Sequence, residues 1–402
     1  MTFQTYFWIA FLYFFSGLPF GFFYTFLPVF FRINGLDLVK IGLFSSAGIF
    51  WSLKPLWAPL LDKYLSKKFW MGIALWGISG SILFLSSTSL EDPRFIFLLF
   101  SLTFFSALLD TALDGFIIEW VLPEKLGKAN GIRVAFYRIA LIFSGGFLTA
   151  LTQYLEFKII FYLLSFFTFL AGNLIFFSSS LSLKPIKNFN YSVKEHYLVP
   201  LMELFKRPSV AILLLFIASY KIGDAFLGGM VAPFWVDRGF NRVEIGFLAG
   251  VLGSGFTILG SLVGGYYTSR WGVKKALLIF GFLQALSNLG YTIGALPFVK
   301  KEFIYLASII ESFTGGLGTA SFLTFLTFLC KKEFSATQYA IFSTLFSLTL
   351  VLARTLSGWG AKTLGYAPFF FLTFLIALIP LLLIPKLFRI NERKFPYKSK
   401  LS

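Results

Sequence analysis

Two charged residues, Lys221 and Asp224, lie in the middle of an apolar stretch that runs from Val210 to Phe234. As a helix, this stretch is long enough to cross a hydrocarbon core of about 30 Å. A charge at the centre of such a helix costs about 2.5–3.5 kcal/mol on insertion scales, so the pair needs a structural or functional reason. Their i, i+3 spacing places both on one helical face, where they can pair with each other or meet a passing solute. We interpret this helix as one wall of a transport pathway.

A second predicted helix carries two carboxylates, Asp110 and Asp114, one turn apart on the same face. Carboxylates so close to each other in an apolar setting resist being charged together, so one of them could hold a proton at neutral pH. The alternative is permanent ion pairing, for example with Lys54 and Arg138, and the residues leave both interpretations open. Glu311, in a third apolar stretch, is a further candidate for proton coupling.

Small residues and aromatic rings are common in the apolar stretches. The run Gly315–Ala320, which follows Glu311, is more typical of close helix packing than of a ligand contact. Several aromatic residues within the predicted spans could stack on sugar rings, but the sequence does not select among Tyr13, Tyr24, Trp51, Tyr137 and Tyr220.

The composition is that of a membrane protein with many spans. Of the 402 residues, 57% are hydrophobic and 13% are charged, whereas soluble domains have about 25% charged residues. Cys330 is the only cysteine and His196 the only histidine, which excludes an intrachain disulfide and a cysteine metal cluster. We therefore expect no metal and no cofactor, and any proton carrier within the membrane must be a carboxylate.

The net charge of +17 reflects the topology of the chain in the membrane. Lysine and arginine are concentrated in the loops on the side of the two termini, which predicts that both termini are cytoplasmic. This distribution argues against a nucleic-acid partner. Four charges near the cytoplasmic ends of predicted helices favour an inner gate over a role in binding: Asp62, Lys63, Glu119 and Arg133.

The apolar stretches predict an all-α integral membrane protein with twelve transmembrane helices. The longest polar stretch, Ser179 to Pro208, reads as a cytoplasmic linker with a short surface helix. The predicted spans are Tyr6–Phe31, Ile41–Leu61, Trp70–Ser89, Phe95–Val121, Asn130–Gln153, Lys158–Ser178, Val210–Phe234, Glu244–Thr268, Ala276–Leu296, Phe303–Leu329, Gln338–Ala361 and Tyr366–Pro385.

The two sets of six spans repeat each other. The stretch Gly35–Gly42 returns as Gly239–Gly246, and Leu61–Lys68 has a looser echo in Thr268–Lys275. Parallel six-helix halves joined by a linker are the plan of the major facilitator superfamily. We predict halves at residues 1–178 and 208–386, a linker at 179–207 and a basic tail at 387–402.

Five stretches carry a resemblance to one family within this superfamily, the AmpG-type muropeptide permeases. They occur in the family's order over nearly the whole chain: Ser16–Pro19, Lys54–Tyr64, Tyr220–Phe226, Gly315–Ala320 and Phe334–Gln338. The resemblance implies a functional monomer that imports cell-wall fragments, disaccharide-anhydromuropeptides, with protons across the bacterial inner membrane. Such a substrate is a sugar that bears carboxylates, which fits a cavity holding Lys54, Lys221 and Arg138. Tyr220, beside Lys221, is a further candidate for binding, and the deep carboxylates Asp224, Asp110, Asp114 and Glu311 remain the candidates for proton coupling.

The chain departs from the family pattern at two places. It has Leu109 where the family has a glutamine, and Leu248–Val251 lacks a lysine of the eighth helix. An anionic solute such as acetyl-coenzyme A, which related carriers transport, is therefore an alternative substrate.

A membrane enzyme would need catalytic residues in a sizeable loop, and the only long loop, Ser179–Pro208, has no such constellation. A second rival function is that of a sensor that does not transport; in that case, the buried charges would be dispensable for uptake.

Overall fold

A computed structural model describes residues 3–35, 44, 46–181, 193–207, 210–240, 244–245 and 247–390. In the first part of the chain the α-helices are α1 (Phe3–Gly21), α2 (Leu27–Ile33), α3 (Ala58–Lys63), α4 (Lys67–Leu85), α5 (Arg94–Trp120), α6 (Leu126–Leu141), α7 (Leu148–Leu151), α8 (Phe157–Phe177) and α9 (Val193–Phe205). The second part has α10 (Val210–Ser219), α11 (Ile222–Asp237), α12 (Ser254–Trp271), α13 (Val273–Gly294), α14 (Lys301–Leu329), α15 (Ser335–Leu364), α16 (Tyr366–Leu378) and α17 (Leu383–Ile390). The described residues form no strand, and α9 lies in the predicted linker.

Ten of the helical stretches within the described residues are long and apolar enough to cross a membrane. They coincide with ten of the twelve predicted spans. The second predicted span, Ile41–Leu61, begins outside the described residues. Its described part falls on two short 3₁₀ segments and α3, where Pro55 and Pro59 remove backbone donors. The eighth, Glu244–Thr268, falls on a π-helical segment, Phe247–Gly253, followed by α12.

The helices divide into two compact units that do not follow the chain order throughout. The first unit comprises Met1–Val121, Phe136–Leu201 and Cys330–Thr344, and the second comprises Leu122–Ala135, Met202–Leu329 and Leu345–Ser402. Each unit thus includes a short segment from the opposite half of the chain. The predicted halves at residues 1–178 and 208–386 stay a prediction.

Glycine allows the segment Leu122–Ala135 to pack within the second unit. A Cβ atom on Gly127 would lie 2.7 Å from the carbonyl oxygen of Gly265, and one on Gly131 would lie 2.6 Å from that of Ser261. The Ser269 hydroxyl accepts a 3.0 Å hydrogen bond from the backbone N–H of Lys128. Small residues therefore let α6 approach α12 closely, as is common between membrane helices.

Two π-helical segments, Phe22–Phe26 after α1 and Ile142–Phe147 after α6, pack against each other in the first unit. A Cβ atom on Gly21 would lie 2.3 Å from the Ser144 hydroxyl, and one on Gly145 would lie 2.8 Å from Thr25. Segments of this kind occur often at functional sites.

The internal repeats share a backbone conformation as well as a sequence pattern. The first pair lies mostly outside the described residues, but both of its glycines are left-handed, with φ of +82° at Gly35 and +75° at Gly239. In the second pair, Leu65 takes the position of Gly272 and has φ of +59°, against +82° for the glycine. A residue with a Cβ atom loses about 1–2 kcal/mol in this conformation, so Leu65 is strained.

We expect Leu65→Gly to raise the thermal midpoint of the purified protein in detergent. Relief of the left-handed strain outweighs the greater freedom of glycine in the unfolded chain, so the net gain is about 0.5–1 kcal/mol. Leu65→Ala is the matched control, because it removes the same exposed side chain and keeps the strain. Equal midpoints for the glycine and alanine variants would contradict this interpretation.

Candidate functional site

In the first unit, an ion pair joins Lys54 and Asp110. Lys54 begins a 3₁₀ segment, Lys54–Leu56, and its Nζ lies 2.9 Å from Oδ2 of Asp110. The Ser16 hydroxyl donates to Oδ1 of the same carboxylate. The two charged side chains are 14% and 13% exposed, so the pair is largely but not completely shielded. The pairing is one of the two alternatives that the sequence leaves open for Asp110.

The second carboxylate of α5 has a different environment. Asp114 is buried, and the Tyr13 hydroxyl donates to its Oδ1 over 3.3 Å. Arg138, which the resemblance assigns to substrate binding, is exposed on α6 in this unit. The carboxylates predicted to act together thus have different neighbours: Asp110 contacts Lys54, and Asp114 accepts a hydrogen bond from Tyr13.

In the second unit, the helix predicted from Val210 to Phe234 is interrupted. Helix α10 ends at Ser219, and Lys221, with φ of −110° and ψ of 9°, precedes the first residue of α11. The prediction of a continuous helix is therefore wrong at this point. The predicted contact is present nevertheless, because Lys221 Nζ lies 3.3 Å from Oδ2 of Asp224 in the first turn of α11.

The helix break directs the buried Lys221 ammonium toward two neighbouring helices. Its Nζ donates to Oε1 of Gln284 on α13 over 2.7 Å and to the carbonyl oxygen of Gly315 on α14 over 3.2 Å. With Asp224, these contacts make a site of three acceptors for the three N–H donors of one ammonium group. Gln284 did not stand out in the sequence, because a lone glutamine in an apolar helix has no distinguishing pattern.

Gly318 makes room for this arrangement. A Cβ atom at this position would lie 2.1 Å from Oε1 of Gln284 and 3.3 Å from Nζ of Lys221. Gly316 has the packing role that the sequence favours, since its Cβ atom would lie 2.3 Å from the carbonyl oxygen of Thr257 on α12. The small residues of α14 thus serve helix packing and the lysine site together.

Two other predicted site residues lie near Lys221 in the chain or the fold. Tyr220 is buried, its hydroxyl donates to the Leu277 carbonyl over 3.0 Å, and its ring stacks on Phe322 with centroids 5.1 Å apart. Glu311 lies on α14 one turn before Gly315 and is partly buried. The contacts of Tyr220 are those of a side chain that holds the helix break in place.

A third cluster of charges lies in the first unit around Lys67, the first residue of α4. The buried Nζ of Lys67 lies 3.0 Å from Oδ1 of Asp62 and 2.5 Å from Oε1 of Glu119. One lysine therefore neutralises carboxylates from two other helices, α3 and α5. The sequence indicated Asp62 and Glu119, whereas Lys67 was missed because it lies just outside the predicted span.

The same carboxylates hold the start of α15. Asp62 accepts hydrogen bonds from the backbone N–H groups of Ala336 (3.1 Å) and Thr337 (2.8 Å) and from the Thr337 hydroxyl (2.6 Å). Glu119 accepts one from the Ser335 hydroxyl over 2.7 Å. A carboxylate at a helix N-terminus is stabilised by the partial positive charge there. Side-chain acceptors at this site satisfy backbone donors that a helix start leaves open.

The remaining predicted gate residues lie elsewhere. The Lys63 ammonium lies 5.2 Å from the centre of the Tyr64 ring, and Arg133 belongs to the second unit, on α6. The structure thus brings together Asp62 and Glu119 and adds Lys67. In the described part of the chain, no three His, Cys, Asp or Glu side chains lie close enough to hold a metal ion.

Comparison with known proteins identifies the family. The sequence profile of the Major Facilitator Superfamily matches residues 9–297 and 222–401. The anhydromuropeptide permease of Escherichia coli (strain K12) is 30% identical over 381 residues, which cover 92% of this chain and 77% of that protein. The chain belongs to the AmpG-type muropeptide permease family of the major facilitator superfamily. A further relative, the putative transporter AmpG 4 of Rickettsia conorii (strain ATCC VR-613 / Malish 7), is 28% identical over 90% of this chain and 91% of its own length.

Solved structures agree with this AmpG-type assignment at the level of the fold. The Escherichia coli fucose:proton symporter FucP superposes with a TM-score of 0.73 over 98% of both chains, at 15% identity. The human organic anion transporter MFSD10 gives 0.71 over 94% of this chain and 98% of its own, at 14% identity. The predicted fold class is confirmed: the chain is an all-α, multi-pass membrane transporter with the major facilitator fold, and it is not an enzyme.

We expect Lys67→Met in this AmpG-type permease to lower the thermal midpoint strongly. The change leaves Asp62 and Glu119 as buried carboxylates without their cation, a loss of about 3–5 kcal/mol for a buried pair. Lys68→Met is the matched control, because the neighbouring ammonium contacts the Ser178 carbonyl oxygen. Adding Glu119→Gln to Lys67→Met should recover part of the loss. Equal midpoints for the Lys67 and Lys68 variants would show that the cluster does not stabilise the fold.

Gly318→Ala should lower the thermal midpoint by about as much as Gln284→Leu, because each removes the glutamine oxygen from Lys221. A hydrogen bond to a charged group contributes about 1.5–3 kcal/mol. The double variant should lose little more than either single one, since both act on the same contact. Gly315→Ala is the control: it keeps the carbonyl acceptor, and its Cβ atom would meet only Oε1 of Glu311, at 3.8 Å. A Gly315→Ala loss as large as that of Gly318→Ala would argue against the role of Gln284.

Proposed function

We propose that this permease imports disaccharide-anhydromuropeptides, fragments released from the cell wall, across the bacterial inner membrane together with protons. The observation that carries the proposal is a partly shielded lysine–aspartate pair in each unit, Lys54–Asp110 and Lys221–Asp224. Charges within membrane segments are costly and mark pathways for solutes and protons. The name of the Escherichia coli relative, anhydromuropeptide permease, supports the same substrate class.

The substrate class is a sugar that bears peptide carboxylates, and the two lysines differ in their capacity to bind such an anion. Lys221 already has three acceptors, whereas Lys54 contacts one carboxylate, Asp110, among the described residues and has donors to spare there. We therefore assign the substrate carboxylate to Lys54, with the exposed Arg138 as a second cation in the same unit. Lys221 acts chiefly as the counterion of Asp224, and Tyr220 supports its position.

Proton coupling is assigned to Asp224 before Asp110, Asp114 and Glu311. Asp224 lies in the first turn of α11, where both the helix dipole and Lys221 favour its charged form. A conformation in which the lysine turns away would leave the carboxylate in an apolar site and favour its protonation. Such a carboxylate can take up a proton in one state of the carrier and release it in the other.

The cluster of Asp62, Lys67 and Glu119 is assigned to the gate. Its bonds to Ser335, Ala336 and Thr337 tie α3 and α5 to the start of α15, a helix from the other end of the chain. We infer that these bonds form in one transport state and break in the other. Lys63 and Arg133 keep their predicted gate roles as part of this proposal.

We further propose that the two termini and the linker lie in the cytoplasm and that the protein functions as a monomer.

Uptake of radiolabelled solute by proteoliposomes tests the function. With an inward proton gradient, we expect concentrative uptake of disaccharide-anhydromuropeptide, and none of the free peptide, a neutral monosaccharide or acetyl-coenzyme A. Collapse of the gradient by a protonophore should abolish accumulation. Preferred uptake of acetyl-coenzyme A, or uptake that follows a sodium gradient, would overturn the proposal.

Asp224→Asn should abolish gradient-driven accumulation and spare part of the exchange of labelled for unlabelled substrate, because exchange needs no net proton movement. The control is Asp237→Asn, the same change at an exposed position on the same helix, which should behave as wild type. Accumulation by Asp224→Asn with the wild-type pH dependence would make Asp224 an ion-pair partner and leave Asp110 as the next candidate.

A further inference from the structure

Three aromatic side chains of the first unit form a close cluster: Phe20 on α1, Tyr24 in the π-helical segment that follows, and Trp51 in the 3₁₀ segment Ser46–Ser52. The ring centroids are 4.6 Å apart for Phe20 and Tyr24, 5.0 Å for Phe20 and Trp51, and 5.5 Å for Tyr24 and Trp51. Phe23, which is 4% exposed, packs behind them with its centroid 5.6 Å from that of Trp51.

This cluster is more exposed than the other rings of the π-helical segment Phe22–Phe26. Phe22 and Phe26 are completely buried against Phe161, whereas Tyr24 is 43% exposed and Phe20 and Trp51 are partly exposed. Part of the aromatic surface of the cluster is therefore accessible from outside the unit. Core packing accounts for Phe22 and Phe26, but it does not account for an outward-facing tyrosine and tryptophan.

The cluster also offers polar groups that the described part of the chain does not use. The indole N–H of Trp51 is shielded and has no acceptor there. A shielded donor without a partner costs about 1–3 kcal/mol, so its presence in a native structure calls for an explanation such as a bound water, an ion or a functional role. Gly48 favours the position of the Tyr24 hydroxyl, since a Cβ atom on Gly48 would lie 2.1 Å from it.

The position of the cluster links it to the ion pair of this unit. Phe20 is one turn beyond Ser16, which donates to Asp110, and Trp51 is three residues before Lys54. The cluster also approaches α6: the ring centroid of Phe20 lies 6.2 Å from that of Tyr137, the residue before Arg138. Arg138 is exposed near the middle of the apolar stretch Pro123–Leu151. Because charged side chains at that depth face the bundle interior or a water-filled cavity, this face of the unit does not face lipid.

Aromatic faces next to unused hydrogen-bond donors, beside a cation, suit one class of ligand. The C–H face of a sugar ring is apolar and its rim carries hydroxyl groups, so it stacks on an aromatic ring and accepts from an indole N–H. Tyrosine and tryptophan combine an apolar ring with one hydrogen-bonding group, so they suit surfaces that are apolar on one side and hydrated on the other. Lys54, three residues after Trp51 in the chain, is a cation that an acidic group attached to the sugar could meet.

We propose that Phe20, Tyr24 and Trp51 form the saccharide subsite of this permease, with Trp51 stacking on a sugar ring and donating to a sugar hydroxyl. The proposal rests on the muropeptide function proposed above. It adds an orientation, in which the disaccharide binds to the first unit on the aromatic cluster and the carboxylates extend toward Lys54 and Arg138.

Binding of two probes to the purified protein, measured by calorimetry in detergent, tests the subsite: disaccharide-anhydromuropeptide and the anhydro-disaccharide without its peptide. Trp51→Leu should weaken the binding of both probes about tenfold, because both carry the sugar, and Tyr24→Leu should have a smaller effect in the same direction. Trp51→Phe should keep most of the stacking and lose the donor. Trp359→Leu, which removes a 73% exposed tryptophan of α15, is the matched control and should bind as wild type. Thermal midpoints within a degree of wild type establish that the variants are folded.

The outcomes separate this subsite from the function on which it rests. If wild type binds the muropeptide and Trp51→Leu binds both probes with unchanged affinity, the subsite is wrong and the function stands. If wild type binds the bare disaccharide through Trp51 but does not take up the muropeptide, the subsite stands and the function is wrong. Binding of neither probe by wild type overturns both.

Discussion

Lysine held against carboxylate in a largely shielded setting recurs at three places in the described structure, and the rest of the architecture depends on these contacts. Lys54 meets Asp110, Lys221 meets Asp224, and Lys67 meets both Asp62 and Glu119. In an apolar medium an ammonium group is tolerated only with a partner, and breaking a buried pair costs several kcal/mol. The helices that contribute these residues are therefore fixed relative to one another by charge, within each unit, as well as by packing.

Irregular backbone positions these charges. Lys221 occupies the break between α10 and α11, and Lys54 begins a 3₁₀ segment in which Pro55 follows directly. In a regular helix, each lysine side chain would follow the face of its own helix. The breaks let each ammonium group reach acceptors on neighbouring helices. Glycine supplies the space: without Gly318, the Gln284 oxygen could not approach Lys221. Irregular backbone in a membrane segment is tolerated where it is enclosed by protein or borders water.

The sequence was most informative where a pattern has one physical explanation. Apolar length located ten spans, and the i, i+3 spacing of Lys221 and Asp224 predicted a contact that the structure contains. The helix break beside that contact was not predictable, because Tyr220, Lys221 and Ile222 include no glycine or proline. Lys67 and Gln284 were missed for a related reason: their importance comes from partners distant in the chain, and a single sequence does not encode which distant residues meet. The exchange of Leu122–Ala135 and Cys330–Thr344 between the units depends on small residues and backbone donors, which have no periodic signal.

The closed lysine–aspartate pairs have a consequence for the electrical behaviour of the carrier. Each pair, Lys54–Asp110 and Lys221–Asp224, has no net charge, so the membrane potential exerts no net force on it when the surrounding helices move. A single unpaired charge that crossed the whole membrane at 100 mV would gain or lose about 2.3 kcal/mol. A carrier that returns empty with both pairs closed does no work against the potential at these sites. The voltage then acts on the step in which solute and proton occupy the sites, and there it can contribute to accumulation.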